Sequence, residues 1–545
     1  MPGKSKQSNE TPLLLGFIIK KIGADGKPYI EFQWLRISIL LISSILFLWL
    51  SLATLLFAFF KYSKGYDTVS YKDMLILPLK YKEHQKEMGN FHIEKGLLSL
   101  EKEKYSEGLN LLRIGLARAP DNLKGRTQLA QIYEFWLKRT DVSIEMYQEG
   151  FEFGGIYDEE FLTVALRSLL ANKMDKEIEN IADEYLPNDF QSGDNENYQM
   201  LAYAAATSAF LKGNFDKAED YINLYLLNTS VDGIILSSKI SWDRGNQLSA
   251  INKLESSLFN YPGSDQLYAQ LSQYYRETGD FDSARRYAKL RNIKNPLEAA
   301  PLIDLIYLYN EFEKEEKIKT LSKRILQDFE DDERAILALA NFSSVTGNVK
   351  LAQQCYELAL EKDFALGSLA LSLIEAYLLA KDYEGATKFS EELLVENPKW
   401  LIDQMAIFSS IRALSSFGLN RPDLGEIYLG EFLNAPNIKS ATYVAVAKRF
   451  SANKMYEQAQ KILQEAYQKD RKNQRILNDL IKINLVLGQT ENLGPQLRTL
   501  LTTRRPDIDL LKEAYQRLGS DLFLFAKNRN AIILELGAIL REKSL

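Results

Sequence analysis

The sequence predicts an all-α protein: one membrane-crossing helix followed by a long α-solenoid of helix hairpins. Three observations carry this reading. Residues Ile37 to Phe60 form an uncharged apolar run of 24 residues. From about residue 89 onward, residues of one kind return every 34 positions. Within each repeat, apolar residues recur three and four apart, the period of a helix rather than a strand.

Length and composition set the frame. A chain of 545 residues exceeds what one compact core accommodates, so several domains or a repeat array are expected. Hydrophobic residues at 46% and charged residues at 26% mark a folded protein. Only 14 prolines and 29 glycines are present, which excludes collagen-like and low-complexity chains. The net charge, 67 − 73 = −6, argues against a nucleic-acid partner, since neutralising phosphates takes a concentrated basic face. Cys355 is the sole cysteine, so neither an intramolecular disulfide nor a cysteine metal cluster is expected.

Residues 1–36 read as a basic tail. It carries Lys4, Lys6, Lys20, Lys21, Lys27 and Arg36 against Glu10, Asp25 and Glu31. Within it, Leu13–Ile19 and Tyr29–Phe32 flank Asp25-Gly26, the pattern of a small hairpin. Residues 37–60 follow as the transmembrane helix. At about 1.5 Å per residue the run spans roughly 36 Å, enough to cross a bilayer with some tilt. Arg36 and Lys61 bracket it, and Trp34 and Trp49 lie on or within it, as interfacial anchors do. A cleaved signal peptide fits poorly, because a long charged segment precedes the run and no small-residue cleavage site follows Phe59-Phe60. Positive-inside counting nearly ties, with Lys61, Lys64, Lys72, Lys80 and Lys82 on the far flank. The expected arrangement leaves the tail in the cytoplasm and places the repeats outside it, across the cytoplasmic (inner) membrane if the source is bacterial.

Residues 61–88 read as a linker and the start of the first helix. The period then sets in. Ala250 and Ala284, Pro262 and Pro296, Gly245 and Gly279, Tyr275 and Tyr309, and Ala352 and Ala386 are each 34 apart. Two antiparallel helices approach closely only where small residues cross. Gly96, Ala130, Ala206, Ser238, Ser272, Ala340 and Ala447 supply these in first helices; Gly108, Ala218, Ala250, Ala284, Ala352, Ala386 and Ala459 supply them in second helices. Rings fill the space around each crossing, among them Tyr133, Tyr275, Tyr309, Tyr377 and Phe450, then Tyr105, Phe215, Phe281, Tyr383 and Tyr456. Pro120, Pro262, Pro296, Pro398 and Pro436 close units, because proline cannot continue a helix.

This small–aromatic–small–proline pattern resembles the tetratricopeptide repeat over residues 89–507. The resemblance implies a right-handed superhelix of about twelve units starting near 89, 123, 157, 199, 231, 265, 299, 333, 367, 405, 440 and 474. Departures are visible. The unit near 157 fits poorly, with an insertion expected around Pro187–Asn197. Ile306, Ile374, Arg412 and Ile481 stand where the small first-helix residue belongs, and Arg421-Pro422 makes the unit near 405 irregular.

Catalysis has no candidate set, and no enzyme activity or cofactor is expected. The chain has no Gly-rich phosphate loop, nucleophile elbow or His-Glu-x-x-His. His84 and His92 are eight apart and lack acidic companions in ligand spacing, so they read as ordinary helix residues rather than a metal site. Cys355 reads as a buried structural thiol.

The resemblance implies binding in the groove lined by first helices. Its carboxylate clamp needs a basic fifth position, yet Ile93, Thr127, Tyr203, Ile235, Ala269, Ile303, Leu337 and Leu371 stand there. What the groove positions offer instead is a mixed patch of Lys239, Trp242, Gln273, Arg276, Tyr307, Asn310 and Asn341, with Trp242 expected to face solvent as a hot-spot residue does. The expected function is a membrane-anchored scaffold for protein partners, with envelope assembly or secretion drawn from analogy alone. The alternative is an accessory holding an extended polysaccharide or peptide during export. Residues 508–545 are expected to cap the array. Their apolar runs, Leu522-Phe523-Leu524-Phe525 and Ala531–Leu540, also raise self-association.

Overall fold

Each hairpin of the array turns on one residue held in the left-handed backbone region. In the computed structural model these residues are Glu103, Lys138, Lys173, Gly213, Gly245, Gly279, Glu313, Gly347, Lys381, Asn420, Lys454 and Gly488. From Gly245 to Lys381 they fall every 34 residues, one per hairpin. The helices before most of these turns end by a shared device. The amide after the left-handed residue donates to a carbonyl five residues back, as Asn246 does to Ser241 at 2.9 Å and Asp382 to Tyr377 at 2.9 Å. This satisfies carbonyls that the helix end would leave unpaired. At four of the turns the residue after the left-handed one also caps the next helix: the side chains of Asn214, Asp280, Asn348 and Asp382 each accept an amide three residues on.

The structure describes residues 10–13, 17–22, 27–66, 69–436, 438–471, 473–489, 491–503 and 505–543. By contacts it divides into residues 1–208 and 209–545, described separately below.

In the first unit, strands β1 (Glu10–Leu13), β2 (Ile18–Ile22) and β3 (Pro28–Phe32) form an antiparallel meander in the order β1-β2-β3. The expected turn at Asp25-Gly26 lies outside the described residues. The helix Trp34–Ala58 follows and runs on through a π turn to Ser63. These 30 residues are long and apolar enough to cross a membrane, and nearly all of their apolar surface is exposed. Ala53 is the buried exception, gathered with Tyr66, Val69 and Met74 in a small cluster. Trp49 Nε1 donates to the Leu75 carbonyl at 3.1 Å, tying the segment after the helix back against it. Hairpins then begin with Tyr81–Glu101 against Tyr105–Arg118. Their backbones nearly touch: a Cβ on Gly89 would lie 2.7 Å from the Ala119 backbone nitrogen. In the next hairpin a π turn, Ile132–Trp136, inserts an extra residue before Lys138, and the turn spacing becomes 35.

The second unit continues the hairpins from Phe215–Leu224 to Gln474–Leu487 and Leu493–Leu501. The crossing residues lie seven before and five after each left-handed turn, as Ser272 and Ala284 do around Gly279. Ala250, Ala284, Ala340, Ala386 and Ala459 are all fully buried there. This register corrects one assignment. Counting back from Asn420 places Ala413, fully buried, at the crossing and frees Arg412 from that role. The first helix here, Lys399–Gly418, is 20 residues long, which accounts for the wider turn spacing from Lys381 to Asn420. At the carboxyl end, Ile508–Leu518 and Arg529–Lys543 pack on the last hairpin. Leu511, Leu518, Phe523 and Leu536 join Leu477, Ile481 and Leu497 in one core. Phe525 stays 94% exposed, with Leu522 and Leu524 also outside.

Candidate functional site

The groove positions around Gly279 are built by two neighbouring first helices, Asp265–Glu277 and Ala300–Glu311. Between them lies a cavity of about 260 Å³ whose wall includes Gln273, Arg276 and Tyr307. These three of the seven groove residues are thus brought together around one space. Gln273 is exposed and donates to Glu277 at 2.8 Å. The Arg276 guanidinium stands 3.7 Å from Glu311, with both side chains about two-fifths exposed. An ion pair that loose and wet contributes little, so the guanidinium is open to exchange partners. Tyr307 is half-buried, packed edge-on against Phe342 with centroids 5.1 Å apart. Arg291 forms the floor, bound to Asp265 at 2.8 Å and also to Asp304.

The other four residues line the same helix faces but not this cavity. Lys239 and Asn310 are exposed, and Asn341 accepts a hydrogen bond from Ser372 Oγ at 3.2 Å. Trp242 departs from expectation. It is half-buried, with its indole stacked on the Tyr274 ring at 3.9 Å and 5°. Stacking on a fully enclosed ring makes Trp242 part of the packing between units rather than a free hot spot. The adjoining rings are structural too. Tyr275 and Tyr287 stack at 5.6 Å and both donate to Glu255, at 2.8 and 2.6 Å. Burial, followed by the bond to Glu255, pushes the Tyr275 hydroxyl up to about 12, so it stays a neutral donor.

Cys355 is fully buried, and burial pushes its thiol up to about 12. His84 is buried with neither ring nitrogen hydrogen-bonded, and burial holds it below its ordinary value. His92 Nδ1 instead contacts the Met88 carbonyl at 2.7 Å and the Tyr66 hydroxyl at 3.1 Å. Among the described residues, no group of three or more His, Cys, Asp or Glu side chains could hold a metal ion.

Two features escaped sequence reasoning: a cavity beside Arg412 and a contact from Arg505 to Asp243. In the sequence Arg412 stands out only as a departure from the small first-helix residue, and Arg505 carries no signal.

Helix pairs at a 34-residue turn spacing, with small residues at their crossings, define the architecture. The fold is a tetratricopeptide-repeat solenoid. Structures of this kind resemble it, each at low identity. A tetratricopeptide repeat protein from Parabacteroides merdae is 17% identical, covering 46% of this chain and 97% of its own, with a TM-score of 0.30. Yeast Tom70 is 14% identical over 91% of this chain and 96% of its own, with a TM-score of 0.29. PilF of Pseudomonas aeruginosa is 14% identical over 45% and 93%, with a TM-score of 0.26. No protein-family model matches the sequence, and no curated protein matches it. The assignment of this solenoid therefore rests on the register within the chain itself.

Proposed function

We propose that the chain is a membrane-tethered scaffold that holds a protein partner in the first-helix groove around Gln273, Arg276 and Tyr307. The observation behind this is the open cavity there, with a loosely paired guanidinium on one wall and an aromatic ring on another. An extended segment carrying a carboxylate beside an apolar side chain suits both walls. Lys239, Trp242, Asn310 and Asn341 extend the same surface, Trp242 as support rather than contact. Residues 37–60 serve as an uncleaved anchor, the tail 1–36 stays in the cytoplasm, and the repeats of 89–507 lie beyond the membrane. Residues 508–545 cap the array, and the exposed Leu522, Leu524 and Phe525 give a second copy a place to dock. Envelope assembly or secretion is the process this reading names, by likeness alone.

The test is recovery of stoichiometric protein from detergent-solubilised membranes. Arg276→Ala combined with Gln273→Ala should reduce it at least severalfold without altering the melting curve, while Lys289→Ala on a second helix should leave it intact. Equal loss from Lys289→Ala, or bound glycan in place of protein, counts against the scaffold reading.

A further inference from the structure

A second cavity, of about 110 Å³, lies where the helices Tyr383–Glu396, Lys399–Gly418 and Pro422–Asn434 meet. It is away from the groove residues discussed above and independent of the scaffold reading. Its volume holds three or four waters at about 30 Å³ each, or one tetrahedral oxyanion. Arg412 and Arg421 both line it. Arg412 lies over Tyr428, its guanidinium carbon 3.9 Å from the ring centroid, and donates to the Tyr428 hydroxyl at 2.7 Å. That stack fixes one edge of the guanidinium and leaves the other donors unused. Among the described residues, neither arginine has a carboxylate within ion-pair distance. Ser415 also lines the cavity. It is 3% exposed, and its Oγ is sealed from solvent without a hydrogen-bond partner. Two arginines without ion-pair partners around a space of ionic size describe an oxyanion site.

One wall residue narrows the ligand. Glu391, exposed at the rim, offers only acceptor oxygens. A fully deprotonated anion would be repelled there, whereas one carrying an O–H can donate to it. We propose that this cavity binds a protonated phosphate group, held by Arg412 and Arg421 and selected over sulfate by Glu391. The phosphate is either free or a monoester entering through the rim.

The experiment titrates the detergent-solubilised full chain by calorimetry at constant ionic strength with orthophosphate, sulfate and O-phosphoserine. Saturable orthophosphate binding is expected, with sulfate at least about tenfold weaker. R421Q and R412Q should each weaken phosphate by about tenfold, the scale of one lost charge-assisted bond. R421Q, at an exposed position, decides the matter if R412Q fails to fold. E391Q should bring sulfate up toward phosphate. O-phosphoserine binding as tightly as orthophosphate identifies a phosphorylated side chain as the ligand, and its exclusion identifies free phosphate. Lack of saturation with both phosphates, equal affinity for sulfate in the unaltered chain, or affinity unchanged in R421Q overturns the proposal.

Discussion

Arg505 donates a 2.7 Å hydrogen bond to Asp243, a partner 262 residues earlier in the chain. Its guanidinium also lies over the rings of Phe210 and Phe215, at 5.4 and 5.6 Å. Within the second unit the stacked hairpins therefore curl until the turn before Ile508 reaches the units near residue 210. Both partners keep some solvent access, at 41% and 25%, so the pair contributes modestly. A double-mutant cycle of Arg505→Ala and Asp243→Ala should give a coupling of about 0.5–1 kcal/mol that shrinks as salt rises. Arg505→Ala should also speed hydrogen exchange in residues 209–245. Zero coupling together with unchanged exchange would show that the contact holds nothing.

At Gly279, φ is +78° and an added Cβ would meet no atom within 4 Å. Gly279→Ala therefore isolates backbone strain from clash, and should lower stability by about 1–2 kcal/mol. Lys381 occupies the equivalent position at φ +61°, so Lys381→Gly should stabilise, by less because glycine also loosens the unfolded chain. Denaturant midpoints of the two variants should move in opposite directions.

Ala284 and Ala413 are fully buried where paired helices cross. Ala284→Leu and Ala413→Leu should each destabilise by about 1–3 kcal/mol through overpacking. A midpoint unchanged by Ala413→Leu would return the crossing to Arg412 and undo the register counted from Asn420.

The Cys355 thiol, fully enclosed and pushed up to about 12, has almost no thiolate at neutral or mildly alkaline pH. Labelling by a thiolate-selective reagent at about pH 8 should be negligible in the native chain and complete in denaturant. Native labelling as fast as unfolded labelling would mean that this hairpin opens readily.

The architecture was legible because it is local. A turn residue, a cap after it and small residues at fixed offsets are set within one hairpin, so Gly279, Asp280 and Ala284 can be read in place. The uncharged run from Ile37 was legible for the same reason. The unit near 405 misled by one position, because Arg412 and Ala413 are neighbours and only the backbone conformation at Asn420 tells which one crosses. The groove residues were half legible. Repeat position put Gln273, Arg276 and Tyr307 on one face, but the sequence could not reveal that Trp242 lies against Tyr274, since that depends on how one hairpin rotates on the next. The same rotations, small at each step and summed over many hairpins, bring Arg505 to Asp243. They also leave Arg412 and Arg421 lining a shared cavity. Sequence alone determined the repeating unit. The accumulated geometry of stacking decided which distant side chains meet, because no single residue encodes it.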